Sequence, residues 1–264
     1  MSYITLLGDS IIDNKTYVQQ EEFSVLEHLE NITEYEFTQI AYDGHTTHDV
    51  LNSQLLSPSI GTSSHIVLSV GGNDLLSEIN FLYTPESFSP FENIKFLDRR
   101  YHNNSDSPEY YEEKYEIWRL NKTIHELKKE IRDLRRNVSF EIQKNNNNSV
   151  FEFAQKNIFD PLEQRFETII EKLSSHRANL LLCTVYEGDL GRTDEFRDVL
   201  DSSKIMVSSF NDIVYKTAKK YNADVLELRH IFTSPEDYAN PIEPSHIGGE
   251  KLAQAITDWV QKTS

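Results

Sequence analysis

The residue of this chain with the clearest chemical potential is Ser10, in Gly8-Asp9-Ser10. Tyr3-Ile4-Thr5-Leu6-Leu7 reads as a short strand and Gly8 as the turn that ends it. The serine hydroxyl is then set at the C-terminal edge of a sheet, where open α/β folds hold their ligands. Such a hydroxyl is an ordinary turn group unless a base takes its proton and donors receive the charge that develops on an attacked carbonyl. Three later segments offer those parts. Gly44, in Asp43-Gly44-His45, lies between a strand and a helix, where a glycine lets the backbone approach closely and aim an N–H at a ligand. Asn73, in Gly71-Gly72-Asn73-Asp74, follows a strand and carries a neutral amide donor suited to an oxyanion. Glu243 precedes His246 by three residues just before the last helix. A carboxylate in that place orients the imidazole and stabilises its protonated form, and the imidazole then takes the Ser10 proton. His45 and His48 lack matched ligand partners and read as surface or supporting residues.

Positioning these residues takes a sheet. Apolar runs bounded by turn residues predict strands over Tyr3–Leu7, Glu36–Ala41, His65–Val70, Leu180–Tyr186 and Asp224–Leu228. Helical periodicity predicts helices over about Phe23–Glu30, Thr47–Leu56, Pro161–His176, Ile205–Tyr221 and Gly248–Lys262. The alternation implies a parallel sheet covered on both faces, in one domain over residues 1–264. From about residue 85 to 149 the rhythm breaks into a polar, charged insertion. Within it Ile117, Leu120, Ile124, Leu127, Ile131, Leu134 and Val138 alternate steps of three and four. That seam predicts a long helix over about 112–140, packed on the body or joined to a partner or a second copy.

Composition narrows the class. The 264 residues are 38% hydrophobic and 11% aromatic, enough for a packed core. A net charge of −17 disfavours nucleic acid and anionic membranes as partners. No run approaches the roughly 18 apolar residues of a membrane span. Met1-Ser2 leads straight into a strand, without the pattern of a secretory signal. Cys183 is the only cysteine and lies inside a strand, which suits a cytoplasmic protein with a packed thiol. The Gly8-Asp9-Ser10 turn lacks the glycine-rich loop and lysine of a P-loop.

In order along the chain, the serine, glycine, asparagine and carboxylate–histidine segments resemble the four blocks of the SGNH hydrolase superfamily, the GDSL esterases and lipases. Gly8-Asp9-Ser10-Ile11 matches the first block with isoleucine where leucine is usual, and Gly71–Asp74 matches Gly-x-Asn-Asp in full. The resemblance implies a flavodoxin-like three-layer α/β/α sandwich with five parallel strands and no cofactor or metal. It implies a serine esterase acting on small acyl esters, with Ser10 as nucleophile and His246 as general base. The oxyanion hole would be the Ser10 and Gly44 amides with the Asn73 side chain. The last block departs from the family's Asp-x-x-His, often followed by proline. Here Glu243 takes the acid place and Ile247 follows the histidine. Glu243, Asp237 or a backbone carbonyl is then left to orient His246. An interaction protein that keeps the fold, loses the chemistry and uses the helical insertion is the alternative reading.

Overall fold

The computed structural model describes residues 2–78, 150–192 and 200–264. The α/β body lies within residues 1–83 and 154–264. The expected insertion and its heptad seam fall outside the described residues.

Five strands form one sheet: β1 (Tyr3–Gly8), β2 (Glu36–Gln39), β3 (His65–Ser69), β4 (Asn179–Cys183) and β5 (Asp224–Leu226). Their order is β2-β1-β3-β4-β5 and every pairing is parallel. β3 is buried along its whole length and β1 beyond its first residue. These central strands read as continuous apolar runs because both faces are covered.

Among the described residues the longer helices of the body are α1 (Val25–Ile32), α2 (Thr47–Asn52), α3 (Gly72–Glu78), α4 (Asp160–Ser174), α5 (Leu200–Tyr221) and α6 (His246–Thr263). α1 packs on α6, whereas α2 packs on α4, and α5 on α3 and α4. Ile4, Leu6, Val67 and Leu181 share a core with Val25 and Leu29 of α1 and with Leu252, Ile256 and Val260 of α6. The helices thus form a layer on each side of the sheet.

Local chemistry sets the helix ends. Ser24 caps α1 in a reciprocal capping box with Glu27. The Ser245 hydroxyl caps α6, accepting from the N–H groups of Ile247 and Gly248. All five predicted strands are present, with the last four ending earlier than the apolar runs do. α3 is absent from the helices that the sequence pattern predicts. Gly71 ends the turn, and the chain then coils at once, with Asp74 in the first helical turn.

At the sheet's C-terminal edge β1 and β3 end together, with Gly8 opposite Ser69. Gly8 has φ +130°, and a Cβ there would lie 1.8 Å from the Ser69 carbonyl oxygen. No side chain fits, so Gly8→Ala is expected to destabilise the protein by more than about 3 kcal/mol, read from chemical denaturation. The close approach lets the Asp9 N–H donate to the Ser69 carbonyl at 3.0 Å and turns the chain so that Ser10 follows at the edge.

Candidate active site

Ser10 is 5% exposed and lines a cavity at the ends of β1, β3 and β4, together with Asn73 and Glu243. Each is held by a different device. The main chain of Gly8, two residues before the serine, is gripped by Gln54. The Gln54 Oε1 accepts from the Gly8 N–H at 2.8 Å and its Nε2 donates to the Gly8 carbonyl at 2.7 Å. The same amide lies 2.8 Å from His45 Nδ1, so one buried glutamine joins the serine turn to the Gly44 loop. Gln54 was not singled out in the sequence, where it is one polar residue in a helical stretch.

Gly44 adopts φ +82°, in the left-handed region that favours glycine, and is exposed to solvent. Asn73 Nδ2 donates to the His45 carbonyl at 3.0 Å, which ties the asparagine to the Gly44 turn. A primary amide has two N–H groups, so a second donor remains for a ligand. Asp74, next in the chain, accepts from the Thr47 N–H at 2.8 Å and hydroxyl at 2.7 Å and pairs with Arg165 at 3.4 Å. These bonds fix the start of α3 against α2 and α4. Asn73→Ala is expected to lower turnover about 10²–10³-fold while leaving the fold intact, checked by ester hydrolysis and thermal melting.

The last block is arranged differently from the expectation. Glu243 is 4% exposed and its carboxyl faces Ser10, whose hydroxyl favours the ionised form. Burial outweighs that help and, with the Asp43 charge, pushes the carboxyl up from 4.5 to about 8. Glu243 Oε2 is buried without a hydrogen-bond partner among the described residues. The loop that carries it is pinned from three sides. Asn240 Oδ1 accepts from the Ile242 and Glu243 N–H groups at 2.9 and 3.0 Å, the Tyr186 hydroxyl donates to the Ile242 carbonyl at 2.6 Å, and Asn14 Nδ2 donates to the Pro244 carbonyl at 3.3 Å.

His246 is not among the residues around the cavity. It opens α6, and its ring stacks on that of His28 of α1 at 5.6 Å and 21°. Its Nδ1 is buried without a hydrogen-bond partner among the described residues, so none of their carboxylates orients the ring through that nitrogen. The structure does not bring Glu243 and His246 together: Glu243 turns to Ser10 and His246 to His28. Asp237, the other candidate acid, is also engaged elsewhere. It accepts from the Thr233 and Ser234 N–H groups at 2.9 and 3.0 Å and pairs with Lys251 at 2.7 Å. The signal that could have found this arrangement is Pro244. With proline as the marker, Asn240-Pro241-Ile242-Glu243-Pro244 fits Asp-x-x-His-Pro, with asparagine in the acid place and glutamate in the imidazole place.

Asp9 is a second buried carboxyl beside the serine, pushed well up by burial and by the charges of Glu243 and Asp74, although the Ile11 N–H donates to it at 3.1 Å. Cys183 is buried in β4 with its thiol pushed up by burial and by Asp9, a packed and unreactive state. Among the described residues no group of three or more His, Cys, Asp or Glu is arranged to hold a metal ion. None of the described helices is long and apolar enough to cross a membrane.

This three-layer α/β/α fold is found among solved lipases and esterases. It is shared with phospholipase A1 from Streptomyces albidoflavus NA297, at 13% identity over 97% of this chain and 98% of that one, with a TM-score of 0.55. A lipase/acylhydrolase from Enterococcus faecalis matches 99% of this chain and 96% of its own at 15% identity and a TM-score of 0.52. A catalytic mutant of an acetylxylan esterase from Geobacillus stearothermophilus matches 97% and 93% at 11% identity and a TM-score of 0.52. No protein-family model and no curated protein matches the chain. At these identities the likeness is one of fold.

Proposed function

We propose that the protein is a serine hydrolase of uncharged carboxylic esters, with Glu243 in place of the usual imidazole. The observation that carries the reading is the Glu243 carboxyl facing the Ser10 hydroxyl inside a cavity that Asn73 also lines. A carboxylate of ordinary acidity is a weak base toward an alcohol. One raised to about 8 is as basic as an imidazole and is still ionised in part at neutral pH. In the proposed reaction Ser10 Oγ attacks the ester carbonyl carbon and its proton passes to Glu243. The Asn73 amide and the Ser10 and Gly44 N–H groups receive the oxyanion. Collapse of the tetrahedral intermediate breaks the bond to the alcohol oxygen, which leaves with the Glu243 proton. Water then attacks the acyl-serine, gives a proton to Glu243, and the acid departs as Ser10 recovers its hydrogen. Asn240 holds the carboxylate in place through the main chain. The single buried cysteine suits a cytoplasmic site of action.

The test is twofold. A fluorophosphonate probe should label the wild type at Ser10, shown by intact mass and peptide mapping, and should not label Ser10→Ala. The hydrolysis rate should rise with pH and level off above about 8, because the base is the ionised carboxylate. A histidine base would give an inflection near 6.5 instead. A well-folded wild type that is never labelled and turns over no ester would leave the alternative, an interaction protein on this fold. The loss of the imidazole from the Ser10 hydroxyl is the feature that favours that second reading.

A further inference from the structure

We infer that the cavity beside Ser10 binds an uncharged aliphatic chain of the ester, so that the preferred substrate carries a chain of several carbons rather than an acetyl group on a polar alcohol. The inference rests on the esterase reading and adds the substrate's chemistry to it.

The cavity walls carry it. Leu75 and Leu76 of α3, Val185 and Leu190 after β4, and Met206 and Val207 of α5 surround the space next to the serine. Met206 and Val207 are 1% and 6% exposed, so they are firm walls and not surface residues. Their backing is equally fixed. Asn211, one turn on from Val207, accepts from the Val185 N–H at 2.8 Å and donates to the Val185 carbonyl at 2.7 Å, locking the loop after β4 onto α5. Ser203 and Val207 both line the space and lie one helical turn apart, so the lined part of α5 extends about 6 Å. That is longer than the single methyl of an acetyl group. A sugar hydroxyl set against Leu75, Met206 and Val207 would leave a donor without a partner.

Charge narrows the chain further. The described residues around the cavity include the carboxyls of Asp9, Glu187 and Glu243 but no lysine or arginine. A carboxylate or phosphate at the end of the chain would find no cation among them to pair with. Burial of each methylene contributes about 0.8 kcal/mol, or about fourfold in kcat/KM if the chain is held in the transition state.

The experiment measures kcat/KM for two series, p-nitrophenyl esters from acetate to octanoate and acetates of alcohols from ethyl to octyl. These arms separate an acyl chain from an alcohol chain in the cavity. The expected result is a rise of about threefold to fivefold per methylene in one series over at least three carbons. An adipate monoester should be at least tenfold poorer than the neutral hexanoate. Val207→Phe and, as a second variant at a less buried wall, Leu76→Phe should each lower the hexanoate-to-acetate ratio at least tenfold. Equal kcat/KM along both series, with turnover that disappears in Ser10→Ala, would overturn the chain-binding inference and leave the esterase reading standing. No Ser10-dependent turnover of any ester would remove the esterase reading itself, and this inference with it.

Discussion

Glu243→Gln is expected to lower kcat/KM about 10²–10⁴-fold at pH 9 and, in the same protein, to raise stability at that pH. The two effects share one cause. In the wild type the carboxyl is buried among Ser10, Asp43 and the neighbouring acidic groups, and it holds its proton up to about pH 8. Unfolded, it would release that proton near its ordinary value of 4.5. Between those two values the native state binds the proton and the unfolded state does not, so stability falls as pH rises from 4.5 to about 8. The full difference corresponds to roughly 5 kcal/mol, an order-of-magnitude figure, at about 1.36 kcal/mol per pH unit. Glutamine keeps the shape, carries no charge and abolishes this slope. Urea denaturation at pH 5 and pH 9 should show a smaller loss for the variant, to which Asp9 and Asp74 still contribute. The wild type should lose a few kcal/mol more at the higher pH. The catalytic deficit should show the mirror pattern. Below pH 8 the ionised fraction of the wild type shrinks about tenfold per pH unit, so its advantage over the variant shrinks with it. A variant that keeps wild-type turnover at pH 9 would remove Glu243 from the chemistry. A variant without the stability gain would place the carboxyl in a wetter setting than the fold provides.

The architecture was legible because its signals are redundant. Each buried strand is an apolar run closed by turn residues, and the parallel order follows from strands that alternate with helices. Ser10, Gly44 and Asn73 could be singled out by type because each follows a strand within five residues, where position along the chain sets position near the sheet edge. The last block offered no such anchor. It lies in a loop of some twenty residues between β5 and α6, and there a histidine three residues beyond a carboxylate looks like a catalytic pair. Ser245 decides otherwise. By capping α6 it makes His246 the first helical residue and turns it toward α1 and His28, while Pro244 and the Asn240 turn bring Glu243 inward. α3 was missed for a related reason, since the two glycines ahead of Asn73 mask a helix that opens at the second of them, Gly72. Gln54 had no sequence signature, because its role is to bond a main chain 46 residues away.

Ser10→Ala should abolish turnover, with a loss of about 10⁴–10⁶-fold in kcat/KM, and its coupling to Glu243 should be larger than any single contact explains. A nucleophile and its base act as one unit, so the double variant Ser10→Ala, Glu243→Gln should be no slower than Ser10→Ala alone. The stability readout separates the two residues where the kinetics do not. The Ser10 hydroxyl favours the ionised carboxyl, so without it Glu243 should hold its proton to a still higher pH. The sign follows from linkage: the fall in stability with rising pH, which ends near 8 in the wild type, should continue beyond 8 in Ser10→Ala. In the double variant the part of that slope due to Glu243 should vanish, leaving the part that Asp9 and Asp74 contribute. The measurement is a set of urea melts from pH 5 to pH 10 on wild type, both single variants and the double variant. Unchanged slopes in Ser10→Ala would mean that the hydroxyl and the carboxyl do not meet in solution. A catalytic role for the pair would then fail even if the fold, and every strand in it, stood as described.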